Sequence, residues 1–262
     1  MKYGFIGCGN MGGALATALA LTTKDIMLAD HNTAKAKALA DTLGVTSGNN
    51  EDIVNQCERI FLGVKPQIMP DMLSGIAPLL QSKKPLLITM AAGLTTKRIE
   101  NLAGGHMPVI RIMPNTPVAV GKGTVLYTAN DKVDAEVLSD FVTDMEPAGI
   151  LDACPEHLID AACSLSGCGP AFMYQFIEAL ADGAVACGLP RDKAVRYAAA
   201  TMAGAAEMVL TTCKHPAQLK DEVCSPGGST IRGVAALEDG GLRAAAMSAV
   251  RAAYDRNIEL GK

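Results

Sequence analysis

The chain has 262 residues, 27 acidic and 23 basic side chains for a formal net charge of −4, 49% hydrophobic residues and no Trp. That length holds two modest domains with a real core, and the acidic balance gives no electrostatic case for nucleic acid or an anionic membrane as partner. The charge-free run 161–177 is broken by Gly-Cys-Gly-Pro and is not a membrane span; a strand-like pattern begins at Met1 with no signal peptide before it, so the expected compartment is the cytoplasm.

Residues 2–6 read as a strand and 10–21 as a helix with Met11, Leu15, Ala18 and Leu19 on one face. Between them runs Gly7-Cys8-Gly9-Asn10-Met11-Gly12, which is G-x-G-x-x-G in a strand-to-helix turn. The first glycine makes the tight turn, the second lets the backbone approach a pyrophosphate, and the third allows close helix–strand packing. The helix N-terminus offers free N–H groups and a positive dipole end to the phosphates. A second strand over 26–29 ends at Asp30. A carboxylate there accepts hydrogen bonds from the adenosine ribose hydroxyls and repels a 2′-phosphate, which favours NADH. His31, Lys35 and Lys37 follow, however, either as cations for the extra phosphate or as the solvated face of a helix over 33–43. The choice between NADH and NADPH stays open, with a lean to NADH.

The alternation continues through a helix at 50–56, a strand at 59–63, the turn Val64-Lys65-Pro66-Gln67 and a helix to 80. A strand at 86–90 leads into Ala91-Ala92-Gly93 and a helix with Thr95 as a suitable N-cap. A strand at 109–113 leads into Pro114-Asn115-Thr116-Pro117, followed by a strand at 124–127, a helix at 133–145 and a strand at 149–151. Repeated strand–helix units of this length specify an α/β fold, a mostly parallel, doubly wound Rossmann-type sheet over residues 1–152. The three special turns follow strand C-terminal ends, where such sheets place their ligands.

After Asp152 the strand signal ends. The pattern from 153 to 262 predicts helices at 157–164, 170–187, 191–212, 216–222, 230–238 and 242–260, an all-helical second domain. The helix from Pro170 carries only Glu178 and Asp182 as charges, so it is expected to be buried around most of its circumference, packed against other helices or a partner subunit. Between two later helices lies Ser225-Pro226-Gly227-Gly228-Ser229-Thr230. Two glycines with flanking hydroxyls at a helix start make a nest suited to a carboxylate, or else an ordinary capped turn. The eight cysteines (Cys8, Cys57, Cys154, Cys163, Cys168, Cys187, Cys213 and Cys224) contain no C-x-x-C pair and no His in ligand spacing. No metal site is expected, and most of them should be small buried hydrophobes.

Over essentially its whole length the chain resembles the pyrroline-5-carboxylate reductase family. The resemblance rests on Gly4 to Met11, Val64-Lys65-Pro66-Gln67, Ala91-Ala92-Gly93, Arg111-Ile112-Met113-Pro114-Asn115-Thr116-Pro117, Leu165-Ser166-Gly167-Cys168-Gly169-Pro170-Ala171, and Ser225 to Thr230 followed by Leu237-Glu238. It implies NAD(P)H-dependent reduction of 1-pyrroline-5-carboxylate to L-proline. Carried over by position, Gly7, Cys8, Gly9, Asn10 and Met11 hold the pyrophosphate, and Asp30 and Asn50 the adenosine end. Val64, Lys65, Pro66, Ala91, Ala92 and Gly93 line the nicotinamide side, with Asn115 in the cofactor-binding set. Ser225, Gly227, Gly228, Ser229 and Thr230 hold the substrate, Thr230 being the catalytic residue through a hydrogen bond to the ring nitrogen. The resemblance also implies an intertwined homodimer through the helical domain, in which the loop completes a neighbour's site, and admits a larger homo-oligomer such as a decamer. Two positions depart from the family: Cys168 stands where Ser is frequent, and Asp30-His31 replaces a common Asn-Arg.

Reduction of a protonated imine asks mainly for positioning against the nicotinamide, so no strong general acid is required. A 3-hydroxyacid dehydrogenase would open with a similar glycine loop but needs a Lys on its central helix, and 172–186 contains none. A non-catalytic nucleotide sensor would keep Gly7, Gly9 and Gly12 with no reason to keep the 225–230 turn.

Overall fold

The computed structural model describes residues 1–260. The first strands and helices follow the predicted order: β1 (Tyr3–Ile6), α1 (Asn10–Leu19), β2 (Ile26–Ala29), α2 (Thr33–Leu43), β3 (Thr46–Ser47), α3 (Asn50–Gln56) and β4 (Arg59–Leu62). Then come α4 (Met69–Lys83), β5 (Leu86–Thr89), α5 (Thr96–Leu102), β6 (Val109–Met113), β7 (Gly123–Ala129), α6 (Ala135–Asp144) and β8 (Gly149–Ala153). They form one eight-stranded sheet in the order β3-β2-β1-β4-β5-β6-β7-β8. All neighbours are parallel except β6 and β7. The strand order reverses beside β1, which lies between β2 and β4, and a crevice for a ligand opens outside the strand C-termini at such a point. Two-residue β3 was not legible in the sequence, since its Thr46 and Ser47 are exposed and carry no apolar run.

Strands β1, β2, β4, β5 and β6 are buried at every residue, as a parallel sheet covered on both faces requires. Phe5 and Phe61 stack with centroids 4.3 Å apart, and Phe61 leans on Phe141 of α6 at 6.2 Å. Phe61→Ala removes the centre of this aromatic cluster and is expected to cost about 3–5 kcal/mol of unfolding free energy, measured by urea denaturation.

At the opposite edge from the crevice, Tyr3 is wholly buried and donates its hydroxyl to Asp144 Oδ2 at 2.7 Å, while Arg59 Nη1 donates to the same phenol oxygen at 2.9 Å. Arg59 also pairs with Asp140 at 2.9 Å, and Lys2 Nζ with Asp144 at 2.7 Å. Burial pushes the Asp144 carboxyl up, but the hydrogen bonds from Lys2 and Tyr3 and the charges of Lys2 and Arg59 outweigh it, leaving the group below its ordinary value. Because the folded-state pKa is depressed, this contribution to stability is full above the unfolded carboxylate value of about 3.9 and is lost as pH falls through the folded one. Asp144→Asn is therefore expected to destabilise the protein at neutral pH, with the gap to wild type closing below about pH 4 in parallel urea titrations.

The helical part comprises α7 (Ile159–Ser166), α8 (Gly169–Ala186), α9 (Arg191–Thr212), α10 (Pro216–Glu222), α11 (Ser229–Asp239) and α12 (Leu242–Leu260). The chain divides into two compact units, Gly169–Ala253 and the remainder, so the division lies after Cys168 whereas the strand signal ends at Asp152. The physical reason is that a single 3-10 turn (Glu156–Leu158) and α7 stay with the sheet. Ile159 is buried against Met113 and Leu126, and Arg111 of β6 pairs with Glu156 at 3.6 Å and Asp160 at 3.4 Å.

Burial departs from expectation for the cysteines, and for α8 it is incomplete within one chain. Within the chain α8 is not buried around its circumference: Ala181 alone is buried, while Met173, Tyr174 and Leu180 are exposed. In its own unit α8 packs against α9, and one neighbour covers one face of a helix. The cysteines are mostly not core residues either; Cys8 and Cys57 are buried, Cys187 and Cys213 are exposed and the other four lie between. The other six sit on helices or turns with too few neighbours in the chain to enclose them. Among the described residues no helix is long and apolar enough to cross a membrane, and no cluster of three His, Cys, Asp or Glu offers a metal site.

Candidate functional site

The crevice is built by backbone. Gly7 follows β1 with φ +101°, a conformation that favours glycine, and its N–H donates to Ala29 O at 2.8 Å. A side chain at Gly12 would collide with the Gly7 carbonyl oxygen, and so would one at Gly63, just after β4. Three glycines thus let β1, α1 and β4 close on one another. Gly63 escaped the sequence reading because it looked like the last residue of a strand; its only signal was a glycine directly before Val64-Lys65-Pro66.

Gly9 differs from these. It is the N-cap of α1 with extended backbone, supplies no side-chain cap, and has nothing within 4 Å of where a Cβ would stand. The first-turn N–H groups of α1 therefore face open space in front of a helix dipole, which fits a pyrophosphate brought against the backbone. Cys8 is buried, with its thiol directed at Ala29 O and pushed up to about 11 by burial and the neighbouring Asp30 carboxylate. Asn10 is exposed and Met11 partly so, at the mouth of the loop.

Asp30 ends β2 and accepts from Cys8 N–H at 2.7 Å through Oδ2 and from Asn32 N–H at 2.9 Å through Oδ1. It ties the glycine loop to the second strand. Burial raises its pKa, but the two N–H bonds and the charges of His31 and Lys35 outweigh that, so the carboxyl stays below its ordinary value. Asn50 opens α3, one residue after Asn49, which caps that helix with a reciprocal bond to Asp52.

The three special turns leave adjacent strands at one edge of the sheet. Ile6 is in register with Leu62, Leu62 with Thr89, and Thr89 with Arg111. After β4, Val64 and Pro66 are half-buried and Lys65 is exposed, with its carbonyl accepting from Ile68 and Met69. After β5, Ala91 is buried, Ala92 exposed, and Gly93 has φ +75°. After β6, Asn115 is 8% exposed and both ends of its amide are engaged: Oδ1 accepts from Thr124 N–H at 2.9 Å and Nδ2 donates to Ser166 O at 3.0 Å. Its side chain braces β7 and the end of α7.

Glu156 was not singled out from the sequence, yet its carboxylate accepts from both the N–H (2.7 Å) and hydroxyl (3.0 Å) of Thr96, at the start of α5, and pairs with buried Arg111. It fixes the exits of the 91–93 and 114–117 turns relative to α7. No local pattern signals such a contact, since its partners stand 60 and 45 positions away in sequence.

In the other unit, residues 225–228 turn into α11, whose first two residues are Ser229 and Thr230. Gly227 has φ +68°, Gly228 N–H donates to Ser225 O at 3.0 Å, and Gly228 is the N-cap of α11 with no side-chain cap. Ser225, Gly227, Ser229 and Thr230 are exposed and Gly228 is half-buried. The turn thus presents a tight glycine corner, hydroxyls and uncapped helix amides, a donor set for a carboxylate. His215 is occupied locally, its Nδ1 accepting from Ala217 N–H at the start of α10.

A glycine loop at the order reversal of a doubly wound sheet, joined to an all-helical unit, places the chain among the two-domain dinucleotide-dependent oxidoreductases. Comparison with known proteins is consistent over the whole length. The family model described as "Pyrroline-5-carboxylate reductase dimerisation" matches residues 156–260, and one described as "NADP oxidoreductase coenzyme F420-dependent" matches residues 2–93. The pyrroline-5-carboxylate reductase of Synechocystis sp. is 41% identical over 100% of this chain and 99% of that protein. Among solved structures, the Coxiella burnetii pyrroline-5-carboxylate reductase aligns with a TM-score of 0.92 and 32% identity over 100% of this chain and 98% of that one. The Plasmodium falciparum pyrroline carboxylate reductase with NADP bound aligns with a TM-score of 0.87 and 33% identity, over the same shares. The chain belongs to the pyrroline-5-carboxylate reductase family.

Proposed function

We infer that this chain catalyses the NAD(P)H-dependent reduction of 1-pyrroline-5-carboxylate to L-proline, the last step of proline biosynthesis. The observation that carries the reading is the open N-terminus of α1 behind Gly9, in a chain that matches named reductases from end to end. Gly7, Cys8, Gly9, Asn10 and Met11 hold the pyrophosphate, Asp30 and Asn50 the adenosine end, and Val64, Lys65, Pro66, Ala91, Ala92 and Gly93 the nicotinamide side, with Asn115 in the cofactor-binding set. When bound, the dihydronicotinamide supplies the hydride. Ser225, Gly227, Gly228 and Ser229 bind the substrate carboxylate through N–H groups and hydroxyls, and the Thr230 hydroxyl hydrogen-bonds the ring nitrogen. A protonated imine accepts hydride without further activation, so orientation is the main task of these residues.

The segment 153–262 serves dimerisation and substrate binding, and 1–152 cofactor binding. Exposed Met173, Tyr174 and Leu180 on α8 support a homodimer through the helical part, which in turn allows larger assemblies such as a decamer. Asp30 favours NADH, and the cytoplasm is the expected compartment. The test is oxidation of NADH and NADPH by the purified protein with pyrroline-5-carboxylate. Turnover confirms the reaction and the ratio of rates reports the cofactor preference; tight nucleotide binding without turnover overturns the activity.

A further inference from the structure

The segment that follows β2 carries an arrangement that neither the glycine loop nor the hydride transfer explains. His31 is 98% exposed at its side chain, yet its Nδ1 lies 2.9 Å from Asp30 Oδ1, whereas the Asp30 side chain is 8% exposed. The carboxylate is held from behind by the N–H groups of Cys8 and Asn32, and the imidazole lies on it from the solvent side. We propose that His31 selects between a cofactor carrying a 2′-phosphate and one carrying a free ribose diol, and that its protonation moves the choice toward the phosphate. This rests on the reading of Asp30 as the residue that faces the adenosine ribose.

With His31 neutral, Asp30 presents a full negative charge, which accepts from ribose hydroxyls and repels a phosphate dianion. With His31 protonated, the pair is neutral and the imidazolium adds an exposed N–H donor beside it. The other charges bearing on the pair do not change in the same range. Lys35 in the first turn of α2 stays positive, and that turn contains no acid. Cys8, from the loop after β1, stays a neutral thiol because burial pushes it up to about 11. Asp30 stays ionised because its pKa lies below the ordinary carboxylate value. An imidazole is the side chain whose charge changes between about pH 5 and 8. The His31 imidazole lies within hydrogen-bond distance of the carboxylate that discriminates.

The experiment is a calorimetric titration of the whole protein with NADP+ and NAD+ between about pH 8 and pH 6.5, for the wild type, His31→Gln and His31→Arg. The ratio of NADP+ to NAD+ affinity is expected to rise about fivefold in the wild type as pH falls, the size of one partly exposed charge interaction. His31→Gln should lose the rise and show a shallow fall, because the 2′-phosphate itself begins to protonate near about pH 6. His31→Arg should keep a high ratio throughout. A wild-type ratio that is flat, or that moves equally in His31→Gln, overturns the role of His31 while leaving the cofactor site intact. Binding of neither nucleotide at any pH overturns the cofactor site and this proposal together. The side chain is so exposed that neither substitution should disturb the fold.

Discussion

Thr230→Ala is expected to lower kcat with pyrroline-5-carboxylate about hundredfold, the usual loss when one preorganised hydrogen bond to the reacting centre is removed. Both kcat and kcat/KM should fall together if the hydroxyl acts mainly in the transition state. Three controls separate this from a structural effect. Thr230 is the second residue of α11 and exposed, and alanine is the better helix former there, so stability should not drop. Nucleotide affinity should be unchanged, because Thr230 is not in the glycine-loop unit. Thr230→Ser should recover much of the activity, since it restores the oxygen. A kcat/KM for Thr230→Ala within about threefold of wild type would remove Thr230 from the chemistry.

Gly9→Ala and Gly12→Ala should separate cofactor binding from folding, although both alter the same loop by one methyl group. At Gly9 the added Cβ meets nothing in the protein, and the extended backbone there suits alanine. The methyl instead fills the space in front of the α1 N-terminus. The variant should denature in urea within about 0.5 kcal/mol of wild type, yet bind NADP+ about a hundredfold more weakly, as expected where the backbone must touch a pyrophosphate. At Gly12 the methyl would run into the Gly7 carbonyl oxygen. That contact is backbone on both sides and cannot be relieved by a side-chain rotation, so Gly12→Ala should lose stability by about 1–3 kcal/mol as well as affinity. Normal nucleotide binding by Gly9→Ala would show that the open space does not receive the phosphates.

Much of this protein was legible because the signals that reveal it are short in range. The glycine loop declares itself by lying between an apolar strand and an apolar helix face, and the sheet by the repetition of that unit. Some helix boundaries coincide with a local stop or start signal, as at Gly44, which caps α2 in the left-handed region, and at Pro190 before α9. The turns that frame the candidate site were legible to the same extent, since turns after strand ends are local features. What escaped was set by contacts between distant positions. Gly63 matters because β4 lies beside β1, Asn115 is engaged by Ser166 and Thr124, and Glu156 reaches back to Thr96 and Arg111.

The burial errors share one cause. Apolar composition records that a surface is to be covered, not which chain covers it, so α8, which reads as packed against other helices or a partner subunit, stands exposed in its own chain. The amino-acid sequence alone therefore determined the alternation of strands and helices and the glycine turn, because propensity, capping and hydrophobic period act within a few residues of one another. Only the tertiary structure decided that the compact unit extends through α7, that Asp30 is bound from behind by the glycine loop, and that His31 rests on its outer face. Those features depend on which segments the sheet brings side by side, and hydrogen bonds and ion pairs formed that way leave no period in the sequence.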